Sequence, residues 1–134
     1  MTEPPASSHW SDEYLRRGLR YQAGVFECTG LVELIRREVF GHALALPTGS
    51  LVATERSTLI ARHMTDFVKP TANPQDGDGV LLMSRGRSQH IGLYCQIAGE
   101  GWVIHNLHHW NVTRHRVREL RKWHMTIEGY YQWI

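Results

Sequence analysis

The chain has few of the features that mark a secreted or a membrane-embedded protein. It contains only two cysteines, Cys28 and Cys95, and two cysteines do not build a disulfide framework. No apolar run approaches the ~18 residues of a transmembrane helix, so we expect no membrane span. Residues 1–9 lack the basic and apolar regions of a secretory signal. We therefore expect a protein that is made and folded in a reducing cytoplasm.

The chain also has little net charge and no internal repeat. A formal net charge of +2 is too small to indicate a nucleic-acid partner, and we expect none. Hydrophobic residues make up 42% and charged residues 21% of the 134 positions, which is typical of a globular protein. We predict a flexible, proline-containing arm over residues 1–9 and a single domain over residues 10–134.

The order of the hydrophobic patterns predicts an α+β domain, with helices first and antiparallel strands second. Helical spacing of apolar residues predicts a short helix within 10–19 with Ser11 as its N-cap, a main helix over 28–40, and another helix within 52–67. Residues 69–79 are rich in proline and glycine and are predicted to form a loop. Short β-rich runs predict strands at 79–83, 89–97, 102–106, 111–117 and 127–133, the last of them at an edge of the sheet.

Cys28 stands at the predicted start of the main helix. The partial positive charge at a helix N-terminus favours the thiolate, which is the nucleophilic form of cysteine. The alternative is that Cys28 is a small buried apolar residue, as many free cysteines are. Cys95 comes five residues after His90 on a predicted strand, so the two side chains should point to opposite faces. We therefore assign Cys95 to the core and retain Cys28 as the candidate nucleophile.

A cysteine nucleophile needs a base and a group that orients the base. His90 opens one predicted strand and His105 ends the next, so a hairpin would bring the two imidazoles onto one face. The alternatives are that His90 is a structural histidine and that His105 forms a metal cluster with His108 and His109.

Two further groups of residues have mainly structural interpretations. The basic run over 114–122 is interpreted as a solvated strand edge, with a protein interface or a nucleic-acid patch as alternatives. Four tryptophans are interpreted as core or interface anchors rather than as a sugar-stacking platform: Trp102, Trp110, Trp123 and Trp133.

Four short segments, in this order along the chain, resemble segments of the NlpC/P60 cysteine peptidases. Residues 26–32 resemble the Asp-Cys-Ser-Gly-Leu-Val segment, and residues 77–82 resemble the Gly-Asp-Leu-Val segment of that family. Residues 89–94 resemble its His-Val-Gly-Ile-Tyr strand, and residues 103–106 resemble its Ile-His-Ala segment. The resemblance implies a papain-like fold in which a catalytic cysteine at a helix N-terminus packs on an antiparallel sheet.

The resemblance also implies the roles of the site residues. Cys28 would be the nucleophile, His90 its base, and His105 the residue that orients His90. The backbone N–H of Cys28 would help to bind the oxyanion.

Three more residues are implied to line the substrate or oxyanion site. Tyr21 matches a site-lining tyrosine upstream of the cysteine. Glu27 stands where the family usually has aspartate, and Thr29 stands where its murein-specific members often have serine. Because these neighbours of the cysteine help to bind the stem peptide in the family, both departures concern the substrate. Neither a metal nor a cofactor is predicted.

Segments at 10–21, 40–47 and 128–131 resemble the phage branch of the family, which comprises tail-tip and tail-assembly proteins. This implies a hydrolase of peptidoglycan stem peptides or cross-bridges. Its partners would be other tail-tip or tail-hub proteins, and it would be made in the bacterial host cytoplasm, carried in the virion tail and active at the periplasm. One alternative is a structural tail-tip or assembly protein with a weak or silent site. A third is a protease that processes another tail protein.

Overall fold

The structure is a computed structural model, and it describes residues 8–46, 68–84, 88–108 and 110–134. Two α-helices come first, α1 at Ser11–Arg16 and α2 at Cys28–Phe40. The strands are β1 (Val68–Thr71), β2 (Gly79–Ser84), β3 (Ser88–Ile97), β4 (Glu100–Leu107), β5 (Asn111–Arg116) and β6 (Met125–Trp133). A 3₁₀ helix at Val117–Trp123 joins β5 to β6. The predicted helix within 52–67 lies outside the described residues, as does most of the predicted N-terminal arm.

The six strands form one sheet in the order β1-β6-β2-β3-β4-β5, and every neighbouring pair is antiparallel. This confirms the mixed α+β class, although the sheet is larger than the sequence predicted. None of the described helices is long and apolar enough to cross a membrane.

The prediction that residues 127–133 form an edge strand is wrong. β6 lies between β1 and β2, and β1 is built from residues around the start of the predicted 69–79 loop. Pro70, which pairs with Tyr131, explains the error, because a proline has no amide hydrogen to donate and normally indicates a break. An edge strand tolerates it, since one side of such a strand needs no partner.

The basic run also differs from its prediction as a strand edge. β5 is indeed the other edge of the sheet, but the strand ends at Arg116 and the chain continues as the 3₁₀ helix. Val117 and Leu120, three residues apart, both pack in a core cluster under that helix. A spacing of three matches the three residues per turn of a 3₁₀ helix, so burial of this pair explains the helical turn.

α2 has the predicted amphipathic pattern. Leu31, Val32 and Ile35 are buried, and the helix ends at Gly41, whose φ of 64° is left-handed, as is usual at a helix C-terminus. The helix packs on β3 and β4. Its apolar face joins Ile91 and other inward-facing residues of the sheet in the larger core cluster.

α1 is shorter than predicted, and its N-cap is Trp10 instead of Ser11. Ser11 is fully buried, and its hydroxyl accepts a hydrogen bond from Arg114 of β5. The serine therefore joins the helix to the sheet, which is why it does not cap the helix. His9, the last residue of the predicted arm, is hydrogen-bonded through its Nε2 to Asp76.

Candidate active site

Cys28 is the first residue of α2 and is only 2% exposed. The N-cap residue, Glu27, makes no side-chain hydrogen bond to the first turn of the helix. Its carboxylate instead accepts the backbone N–H of Gly24 at 2.7 Å, which stabilises the tight turn before the helix. Cys28 lies at the N-terminal, positive end of the α2 dipole, a position that favours the thiolate form of a cysteine.

Asn106 on β4 holds the start of α2 in place. Its side-chain amide donates to the carbonyl oxygens of Phe26 at 3.1 Å and of Glu27 at 3.2 Å. These are the two residues that precede Cys28, and Asn106 directly follows His105. The backbone just before Cys28 is thus held by side-chain hydrogen bonds to the strand that carries one of the two candidate histidines.

The structure brings His90 and His105 together. Their strands form a hairpin in which Gly92 pairs with His105, and His90 Nε2 lies 3.1 Å from His105 Nδ1. The two rings are nearly parallel, with an interplanar angle of 13°. Both side chains are buried. The imidazoles are therefore hydrogen-bonded, which is the contact required between a base and the residue that orients it.

A third histidine, His115 on β5, extends this contact. Its Nδ1 lies 3.0 Å from His105 Nε2, so both ring nitrogens of His105 are engaged. The sequence analysis missed His115 because it lies in the basic run. The available signal was strand register: Val103 pairs with His115, which makes His115 a diagonal neighbour of His105. We call His90, His105 and His115 the histidine row.

Burial sets the charge of His105 and His115 in the row. His105 is fully enclosed, and its burial lowers its pKa well below the usual range, with smaller contributions from His90 and His115. Burial also lowers the pKa of His115, opposed by the nearby carboxylate of Glu119. Both rings are therefore neutral at neutral pH, and each then has one N–H donor and one acceptor nitrogen.

The sequence profile of the NlpC/P60 family matches residues 11–128, a range that contains Cys28 and the whole histidine row. The chain belongs to the NlpC/P60 family. A search of curated proteins finds no significant match. NlpC/P60 proteins are typically cysteine peptidases, and the family suggests peptidoglycan as the substrate.

Two of the three predicted substrate residues of this NlpC/P60 domain lie together. Glu27 and Thr29 line an open cavity of about 110 Å³ beside the start of α2. The Thr29 hydroxyl is buried and has no hydrogen-bond partner in the part of the chain that the structure describes. An unpaired buried hydroxyl costs stability, so a substrate or water that binds it would recover that energy.

Tyr21 lies elsewhere. Its ring is 5.2 Å from the ring of His108, and its backbone N–H donates to the side chain of Asn111. It is not among the residues that line the cavity. The structure thus places Tyr21 against the turn between β4 and β5.

Cys95 is buried in the core, as predicted. It is fully enclosed, and this burial raises its pKa to about 12. A thiol with such a pKa has almost no thiolate at neutral pH and is inert as a nucleophile. Of the two cysteines of this NlpC/P60 chain, Cys28 therefore remains the candidate nucleophile.

The structure does not support a metal cluster of His105 with its neighbours. The ring nitrogens of His105 face His90 and His115, and no group of three or more metal-binding side chains is found among the described residues. His109 lies outside them.

The buried histidines predict a loss of stability in acid. The pKa of His105 is lower in the folded than in the unfolded chain, so below about pH 6.5 only the unfolded chain takes up this proton. The free energy of unfolding should therefore fall between pH 7 and pH 5, by up to about 1.4 kcal/mol per pH unit for this proton.

Urea unfolding at several pH values measures this dependence. In a His105→Asn variant, the free energy of unfolding should fall less steeply with decreasing pH, by up to the slope that one proton contributes. Burial also lowers the pKa of His42 and of His115, so part of the slope should persist. Identical slopes for the two proteins would contradict the assignment.

Proposed function

We propose that this chain is a cysteine hydrolase that cleaves an amide bond in peptidoglycan stem peptides or cross-bridges. In this proposal Cys28 is the nucleophile, His90 is its base, and His105 orients His90. The observation that carries the proposal is the attachment of the start of α2 to β4. Asn106 binds the two carbonyl groups before Cys28, and the adjacent residue, His105, is hydrogen-bonded to His90.

The end of the β3–β4 ladder offers the place where thiol and base can meet. Cys28 packs in the same core cluster as Ile91 and Ile104, which neighbour His90 and His105 in sequence. Alternate strand residues face opposite sides, so the histidines project from the other face. The ladder stops at Gly92 and His105, although both strands continue. In the proposed mechanism, the Cys28 thiol contacts His90 Nδ1 where the pairing of β3 with β4 ends.

The chemistry then follows from the hydrogen bonds of His90. Since Nε2 faces His105, Nδ1 is the atom that takes the proton of the Cys28 thiol. The thiolate attacks the amide carbonyl carbon, and the imidazolium gives its proton to the leaving amine. A water then attacks the thioester, His90 accepts the proton of that water, and a carboxylic acid and the free thiol result.

The start of α2 supplies the other groups the reaction needs. Backbone N–H groups of the first helical turn have no partner one turn earlier within the helix. In the proposed site, the N–H of Cys28 binds the oxyanion of the tetrahedral intermediate. Glu27, Thr29 and the cavity that they line would bind the substrate, and Tyr21 lies outside that cavity.

We further propose that the protein acts within a phage tail. The resemblance of segments 10–21, 40–47 and 128–131 to the phage branch supports this assignment. The partners would be tail-tip or tail-hub proteins, and the site of action would be the periplasm during infection. The proposal also keeps residues 10–134 as one domain, preceded by an arm.

Digestion of purified peptidoglycan and of synthetic stem peptides tests the hydrolase. The native protein should release a new peptide amine, detected by mass spectrometry, whereas Cys28→Ala should release none. Cys95→Ala is the matched control, since it removes the other thiol from the core and should retain cleavage. Release of the same amine by Cys28→Ala would exclude Cys28 as the nucleophile.

One observation favours a second candidate, a structural tail-tip protein with a silent site. Cys28 is 2% exposed, and the cavity that Glu27 and Thr29 line is only about 110 Å³, so the described residues give a substrate peptide little access to the thiol. Intact substrate with a folded native protein would favour this candidate, or a hydrolase that opens only within its assembly. Cleavage by the native protein would exclude it.

A further inference from the structure

His115 has a chemical role in the histidine row that the two-histidine mechanism does not use. We infer that His115 is a positioning residue of the proposed site. Its Nδ1 accepts a hydrogen bond from the Nε2–H of His105 and thereby fixes the tautomer in which His105 Nδ1 accepts a hydrogen bond from His90. This inference rests on the proposed function, because it concerns the support of the base in that mechanism.

The argument starts from the donor and acceptor limits of a neutral imidazole. His105 is enclosed and neutral, so only one of its two nitrogens carries a proton. Both nitrogens have a partner, His90 at 3.1 Å and His115 at 3.0 Å. His105 must therefore donate to one partner and accept from the other. His90 changes its charge during the reaction, so it cannot by itself fix the direction of these hydrogen bonds. The direction in which His105 donates therefore depends on His115.

The base needs one of these two arrangements. When His90 takes the thiol proton, both of its nitrogens carry hydrogen, and its Nε2–H requires an acceptor at His105 Nδ1. That leaves the His105 proton on Nε2, facing His115. The opposite tautomer would direct an N–H of His105 at the N–H of charged His90, and the two donors would repel each other. In a serine triad the wrong histidine tautomer lowers kcat on the order of 10⁴-fold.

The surroundings of His115 favour its role as acceptor. Its ring packs against two tryptophans that also contact each other, 5.3 Å from the ring of Trp110 and 5.4 Å from that of Trp123. Burial lowers the pKa of His115 and keeps the ring neutral at pH 7, so one nitrogen has a free lone pair. The ring of His115 is nearly perpendicular to that of His105, at 77°, and the hydrogen-bond geometry holds its Nδ1 toward His105 Nε2.

Nitrogen NMR of the imidazoles tests the inference without using the reactivity of the thiol. The protein is labelled with ¹⁵N-histidine in a Cys28→Ala background, and the His105 signals are identified by their loss in His105→Gln. We expect His105 to carry its proton on Nε2 at pH 7. His115→Asn retains an acceptor oxygen near the position of Nδ1 and should preserve this tautomer. His115→Phe retains a flat ring without an acceptor and should give a mixed or opposite tautomer.

Alkylation of Cys28 at pH 7 provides the second measurement in proteins that retain the thiol. His115→Phe should react at least about tenfold more slowly than the native protein, and His115→Asn within about threefold of it, following the large penalty for a wrong tautomer. Rescue by asparagine separates hydrogen-bond acceptance from simple packing, because asparagine packs less against the tryptophans than phenylalanine does.

The outcomes distinguish this inference from the proposed function. A proton on Nδ1 of His105 in the parent protein would overturn the role of His115, and so would a His115→Phe protein with the parent tautomer and rate. If His115→Phe does not fold, the parent and His115→Asn spectra still decide the question. An unreactive Cys28 in the native protein would instead count against the hydrolase, while the tautomer measurement would continue to judge His115 by itself.

Discussion

Replacing His90 with glutamine should lower peptide hydrolysis by about 10²- to 10⁴-fold, which is the usual contribution of a general base. Glutamine has a similar reach and keeps hydrogen-bonding atoms, but it cannot take the thiol proton. The assay is the release of the peptide amine from a stem peptide, with kcat compared between His90→Gln and the native protein.

A chemical measurement gives the same information without a substrate. If His90 forms an ion pair with Cys28, alkylation of the native thiol should stay nearly constant from pH 7 to pH 5. In His90→Gln the thiol should behave as an ordinary one, so its rate should fall about tenfold for each pH unit below about 8.5. Cys95 is an internal reference, since its pKa of about 12 should prevent labelling in the folded protein.

His124→Asn is the matched control for the loss of one imidazole. His124 is exposed and has a left-handed backbone, with φ of 61°, a conformation that asparagine tolerates well. This variant should keep the native alkylation profile. If His90→Gln also kept the native profile, the thiol would not be paired with His90, and the proposed mechanism would be wrong.

Replacing Gly92 with alanine should lower both the stability of the fold and the activity of the proposed site. Gly92 is the strand partner of His105. A Cβ atom there would lie 2.7 Å from the carbonyl oxygen of Ile104, 2.8 Å from Val103 Cγ1 and 3.0 Å from His105 Cβ. Since backbone and core atoms cannot move aside easily, β3 and β4 must separate.

The expected cost of Gly92→Ala is about 1–3 kcal/mol in the free energy of unfolding, as for other overpacked cores. The displacement of His105 from His90 should lower Cys28 alkylation at pH 5, and hydrolysis should fall by on the order of 100-fold, the effect of about 1 Å of misplacement. Urea unfolding and the alkylation assay measure the two effects.

Gly101→Ala in the same hairpin is the matched variant. There the added Cβ would lie 2.5 Å from the hydroxyl of Tyr94, the far end of a half-exposed side chain that can turn aside. We expect a smaller loss of stability and native alkylation. Equal effects of the two alanines on the alkylation rate would show that Gly92 matters only for folding.

The parts of the fold that the sequence predicts well are those encoded locally. α2 could be predicted because its apolar residues repeat at helical spacing and Gly41 ends the pattern. The hairpin of β3 and β4 could be predicted because a short turn with Gly99 separates two β-rich runs. That His90 and His105 share a face of this hairpin follows as well, since side chains alternate along each strand.

The parts that were missed depend on contacts between distant segments. Whether β6 is central or at an edge is determined by β1, and Pro70 conceals that strand. The hydrogen bonds from Asn106 to the carbonyl groups of Phe26 and Glu27 could not be predicted without knowing which strands and loops meet. The same is true of the position of His115. A histidine within a basic run carries no local sign that its ring will pack against two tryptophans.

The hydrogen bonds from Asn106 to the start of α2 have a consequence for the order in which the protein folds. The bond to Phe26 joins residues that are 80 positions apart, whereas the contact of His90 with His105 spans only 15 positions. Closing the longer loop costs more chain entropy and slows folding. During synthesis from the N-terminus, Cys28 leaves the ribosome long before Asn106 has been made. If Cys28 is the nucleophile that we propose, its thiol should stay chemically ordinary on the nascent chain until β4 has been made and has docked.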